Sequence, residues 1–215
     1  MESDEDKNEN EETFGQKVSQ FRERIKMYLD ISNVSEIGRR YFVMNAFDGA
    51  LTMLGFIIGA YFSGNLNAKL IISSGIGASL AMGLSGFSGA YITEKAERLH
   101  KLRVIEESLM ENIEDSITAE ASRFASVVAA FIDGISPALA ALLTIVPFAF
   151  VLWNIMPLLL AFYIAVVLNL TLIFTLGIFL SRISHESWWT YGVIMAIVGL
   201  LTVFLTMLFT GGHML

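Results

Sequence analysis

The sequence predicts an all-α, polytopic membrane protein with five transmembrane helices, its N-terminus cytoplasmic and its C-terminus outside or lumenal. Composition, the apolar runs and the placement of the basic residues predict it. Of the 215 residues, 54% are hydrophobic and only 16% charged, against the roughly 25% charged residues of ordinary soluble domains. Mean hydropathy is +0.61. Apolar runs near 41–62, 69–92, 122–150, 157–181 and 188–210 each reach the ~20 residues that a membrane-crossing helix needs. Thirteen of the fourteen Lys and Arg residues fall on one side of those runs, with only Lys69 opposite, which is the asymmetry that places cytoplasmic segments.

Residues 1–13 are nearly all polar or acidic and read as a disordered tail. Residues 14–36 read as an amphipathic interfacial helix and a turn. Phe14, Val18, Phe21, Ile25 and Tyr28/Leu29 recur at three-to-four spacing, with Lys17, Arg22, Arg24 and Lys26 between them. Ser35 is the expected N-cap of the first span. Residues 37–215 form the transmembrane domain. Its third span contains Pro137 and Pro147 and is expected to kink or end near Pro147. Asn154 and Pro157 mark a tight turn, and Trp188, Trp189 and Tyr191 fit an interfacial aromatic belt. The N-terminus reads as lacking a cleavable signal peptide.

Composition also excludes functions. There is no basic patch with interleaved aromatics, so nucleic acid is not an expected partner. With no cysteine, disulfides, thiolate ligands and cysteine nucleophiles are excluded. No nucleophile elbow or His-Glu-x-x-His appears, and His100, His185 and His213 lie in different regions. The chain does not read as an enzyme.

The chemistry-bearing residues lie inside the spans. Asp48 is about seven residues into span one, roughly 10 Å deep at about 1.5 Å per residue. A carboxylate there costs roughly 2.5–3.5 kcal/mol even on the lenient insertion scale. Met82 in span two and Asp133 in span three fall at a similar depth, so all three side chains can meet in one layer. Ala46-Phe47-Asp48-Gly49-Ala50-Leu51 matches Ala130-Phe131-Ile132-Asp133-Gly134-Ile135 with one residue inserted. That is either a parallel repeat or a coincidence of an apolar alphabet. Two carboxylates with a thioether suit a transition metal, Fe²⁺ or Mn²⁺ better than Mg²⁺ or Ca²⁺. Met44, one turn before Asp48, is a further candidate ligand. Gly55, Gly59 and the small residues of Ser79-Leu80-Ala81-Met82-Gly83-Leu84-Ser85-Gly86 imply close helix packing, of which a homodimer seam is one version.

The stretch 93–122 reads as a helix continuing from span two. Glu107, Glu111 and Glu114 share a face, as do Glu97 and His100. Such rows either hold divalent ions or form a solvated face paired with neighbouring Lys and Arg.

Asp48-Gly49, Leu54-Gly55, and Ala81-Met82-Gly83-Leu84-Ser85-Gly86-Phe87 leading into Thr93-Glu94-Lys95-Ala96-Glu97 resemble the vacuolar iron transporter family. The resemblance covers spans one and two and the start of the following loop. It implies a homodimeric antiporter that exchanges Fe²⁺ or Mn²⁺ for protons and moves metal out of the cytosol, with no permanent cofactor. It implies Asp48 and Met82 as transport ligands and the acidic loop as a metal collector. The implied location is a cell membrane in a prokaryote or a vacuole-type membrane in a eukaryote. Three features depart from the family pattern: Gly86 stands where a Glu is common, the loop is short, and Asp133 is additional. The alternative from a different class is a non-transporting scaffold or interaction protein whose buried Asp residues serve helix assembly.

Overall fold

The computed structural model describes residues 19–20, 22–28, 34–109, 117–184 and 187–211. Among them are five long helices and no strand: α1 (Val34–Phe62), α2 (Ala68–Leu109), α3 (Ile117–Leu152), α4 (Leu158–Ser184) and α5 (Trp188–Gly211). All five are long and apolar enough to cross a membrane, the architecture of a multi-pass membrane protein. Residues 22–28 are helical as well. The acidic tail lies outside the described residues, as do the first residues of the interfacial segment.

Two boundaries differ from expectation. Helix α1 begins at Val34, so Ser35 lies within its first turn rather than capping it. Helix α3 runs through both prolines and ends at Leu152, five residues beyond Pro147, because neighbouring helices can satisfy the backbone groups a proline frees in an apolar setting. The connections follow local chemistry. Gly64 (φ 72°) and Asn154 (φ 57°) adopt left-handed conformations after α1 and α3. Each closes its helix with the paired bonds of a Schellman motif: Asn65 N–H to the Ala60 carbonyl and Gly64 N–H to Tyr61, then Ile155 N–H to Phe150 and Asn154 N–H to Val151. The Asn67 side chain caps α2 by accepting from the Lys69 (2.9 Å) and Leu70 (3.2 Å) amides.

Helix α2 has 42 residues, roughly 63 Å at about 1.5 Å per residue. That is about twice a membrane span, so the acidic stretch expected to continue span two does so as helix to Leu109.

The chain divides into two compact units. Of the described residues, one comprises those up to 37 together with those in 91–129, the other those in 38–90 with those in 130–215. In the second unit α1 is the centre. Val43, Ala46, Ala50, Met53, Leu54 and Ile57 are buried along it, against Ile71, Ala141, Ile145, Phe148, Ala161, Phe162 and Ile173. Asn169 of α4 is fully buried and ties three helices together. Its Nδ2 donates to the Ala50 carbonyl of α1 (3.0 Å) and to Thr144 Oγ1 of α3 (2.8 Å). In the first unit, Tyr28 packs its ring on Phe124 with centroids 5.7 Å apart and donates its hydroxyl to Glu120 Oε2 at 2.6 Å. Ala119, Ala121, Ala125 and Ala129 are buried there.

Candidate functional site

A cavity of about 420 Å³ opens among α1, α2 and α3, and Asp48, Met82 and Asp133 all line it. Helical periodicity accounts for the wall. On α1, Asn45, Asp48, Leu51 and Thr52 share one face, while the apolar positions between them turn to the core. On α2 the lining residues Met82, Ser85 and Gly86 fall at offsets of three and four, and on α3 Asp133 and Pro137 are one turn apart.

The two carboxylates are held differently. Asp133 is half-buried and accepts a 2.5 Å hydrogen bond from Asn45 Nδ2. Asp48 is exposed to the cavity, and no hydrogen bond or ion pair engages it among the described residues. Its burial is thus not that of a core aspartate. The apolar span holds it, but its carboxylate faces open space.

Tight backbone contacts bring the helices close enough for this. A Cβ on Gly49 would fall against the Pro137 carbonyl and 2.7 Å from the Pro137 Cα, so α1 and α3 touch there through backbone. A Cβ on Gly134 would stand 2.5 Å from the Gly83 carbonyl oxygen, which does the same for α3 and α2. Pro137 adds a chemical consequence. It has no N–H to offer the carbonyl of Asp133, four residues back. That carbonyl and the Asp133 carboxylate both crowd Gly86, where a Cβ would meet them at 3.0 and 3.1 Å. Any larger residue at position 86 would displace Asp133. The three walls together present carboxylate oxygens, an amide and a thioether, a donor set of mixed hardness.

Met44 does not join them. It is 51% exposed and outside the lining, where Asn45 forms the wall at that level of α1. The sequence reading missed Asn45, although its offset of three from Asp48 was the available signal. It also missed the Asp133–Pro137 offset of four.

The acidic stretch shows local pairing. Glu97 pairs with Lys101 at 3.1 Å, both well exposed, and Glu94 with Arg98 at 3.1 Å, both largely buried. His100 and Glu107 are exposed on α2, and Glu111 and Glu114 lie outside the described residues. Among the described residues, no three His, Asp or Glu side chains come close enough to hold a metal by themselves.

The chain is 36% identical over 159 residues, 71% of its own length and 78% of the relative's, to "Uncharacterized protein MJ0645" of Methanocaldococcus jannaschii. No family model matches it, and no solved structure does.

Proposed function

The chain belongs to the family of this archaeal protein, and from the chemistry of its own cavity we propose that it is a divalent transition-metal/proton antiporter carrying Fe²⁺ or Mn²⁺ out of the cytosol. The observation that carries the reading is Asp48. It is a carboxylate within an apolar span, engaged by no other side chain among the described residues, in a cavity shared with Met82 and Asp133. Carboxylates in such a position ordinarily serve an ion or proton path. The resemblance of spans one and two to the vacuolar iron transporters points the same way.

Asp48 alternates between metal and proton. Metal binding requires the ionised carboxylate, while an apolar surrounding favours the neutral acid once the metal leaves. The two ions therefore exclude each other at one group, which is the basis of exchange. Met82 selects a softer divalent ion over Mg²⁺. Asp133, positioned by Asn45, supplies the second carboxylate. The Lys and Arg asymmetry supports a cytoplasmic N-terminus and an external C-terminus, and the acidic part of α2 serves as the cytoplasmic collector. The outward side of α2, where a Cβ on Gly77 or Gly89 would meet nothing within 4 Å, is the seam of a homodimer.

The test is metal uptake into proteoliposomes under an imposed pH gradient. The parent protein drives metal-stimulated proton flux, and Asp48→Ala and Met82→Ala lose it. Parent-like flux in both variants overturns the assignment. One observation favours a second reading: the Asn45–Asp133 bond joins α1 to α3, as expected of a scaffold whose aspartates serve helix assembly. A scaffold shows no metal-stimulated flux in the same assay.

A further inference from the structure

A second pocket, of about 210 Å³, lies in the smaller unit between residues 91–102 of α2 and 122–127 of α3, and its chemistry is the reverse of the first. Lys95, Arg98 and Arg123 line it, and the remaining wall is largely apolar, with Leu99, Leu102 and Val127. Arg98 is the informative residue. Its side chain is only 12% exposed and its Nε donates to Glu94 Oε2 at 3.1 Å. Its Nη2 is fully buried and has no hydrogen-bond partner among the described residues. A buried guanidinium N–H that meets no acceptor is costly, and three cationic side chains line this one pocket. The missing component is an anion with oxygen acceptors, which a guanidinium binds in a forked geometry.

The sequence around the pocket says which anion. Helix α2 carries no charged residue between Lys69 and Glu94, and α3 carries none after Arg123 except Asp133. The pocket residues therefore stand where each helix passes from apolar to charged sequence, the level at which lipid phosphates meet basic side chains. Aliphatic walls beside the cations suit an acyl-glycerol body, which free phosphate lacks.

We propose that this pocket binds the phosphate group of an anionic phospholipid, with Arg98 as its principal donor and Lys95 and Arg123 as flanking cations. The site is independent of the transport reading.

The test uses the full chain in a neutral detergent and follows thermal unfolding. The additions are short-chain phosphatidylglycerol, short-chain phosphatidylcholine and inorganic phosphate. Phosphatidylglycerol raises the unfolding temperature of the parent in a saturable way, and the other two do not. Arg98→Gln abolishes the response and Arg98→Lys retains part of it. Arg123→Gln, a change at an exposed residue, weakens the apparent affinity about fivefold, the factor for one basic residue at an anionic surface. Should Arg98→Gln fail to fold, Arg98→Lys and Arg123→Gln decide. Equal responses to phosphatidylglycerol and phosphatidylcholine overturn the proposal, as does an undiminished response in Arg123→Gln. A shift produced by inorganic phosphate alone makes this a free-anion site and overturns the lipid assignment.

Discussion

The cavity of the larger unit gathers Asp48 and Asp133 with a thioether, while the pocket of the smaller unit gathers Lys95, Arg98 and Arg123, with Glu94 paired to Arg98. The same helices, α2 and α3, contribute to both. The difference lies in what local chemistry leaves unanswered. In the larger unit a carboxylate oxygen faces open space, and in the smaller a guanidinium N–H is buried with no acceptor among the described residues. Side chains that answer one another, such as Glu97 with Lys101 or Asn169 with Thr144, are structural pairs. Those left over carry the two proposals, a cation for the larger unit and an anion for the smaller.

Transport variants break this comparison most directly. Asp48→Asn is expected to lower metal-stimulated proton flux by at least about tenfold, since even residues that only support a metal ligand cost that much. Arg98→Lys should stay within about twofold of the parent in the same assay, because only the anion pocket contains it. If both lose transport equally, the two sites are not separable functions.

Packing variants sharpen the geometry. Gly49→Ala forces a methyl into the Pro137 backbone and should cost about 1–3 kcal/mol by overpacking, whereas Gly59→Ala, whose nearest neighbour would be the Thr206 methyl at 3.6 Å, should stay within about 0.5 kcal/mol. Thermal unfolding in detergent reads both. Asn169→Leu removes two interhelical hydrogen bonds and should cost about 1 kcal/mol, since such bonds average about 0.6 kcal/mol each in membranes.

The smallest effects belong to the exposed pairs of the smaller unit. Glu97→Gln breaks the pair with Lys101 and should change stability by no more than about 0.5 kcal/mol. The hydrogen bond to Glu120, with desolvation and the charge of Glu120 adding to it, holds the Tyr28 hydroxyl above its ordinary pKa. A raised folded value means that the neutral tyrosine stabilises the fold below the ordinary tyrosine pKa. That contribution is lost as pH rises through the raised value. Tyr28→Phe should therefore unfold slightly earlier than the parent at pH 8, with the gap closing in strongly alkaline buffer.

Helix number and approximate limits were legible in the residues, because a membrane span is a one-dimensional property of length and apolarity. The α2 continuation to Leu109 was legible for a similar reason, as polar residues with helical propensity followed without a break. The layer shared by Asp48, Met82 and Asp133 could be read from counting residues along each span, since rise per residue converts position into depth. Rotation about each helix axis could not be counted the same way. Met44 is close to Asp48 in sequence yet lies outside the cavity, and Asn45, which carried no obvious chemistry, became the partner of Asp133.

By itself, the sequence determined an all-helical, five-span chain with carboxylates at one depth and basic residues at the ends of its apolar stretches. Only the tertiary structure decided which side chains are already satisfied. Burial and partnership depend on how neighbouring helices turn and how closely their glycines let them approach. Those contacts join residues such as Asn45 and Asp133, 88 positions apart, and no local pattern encodes them.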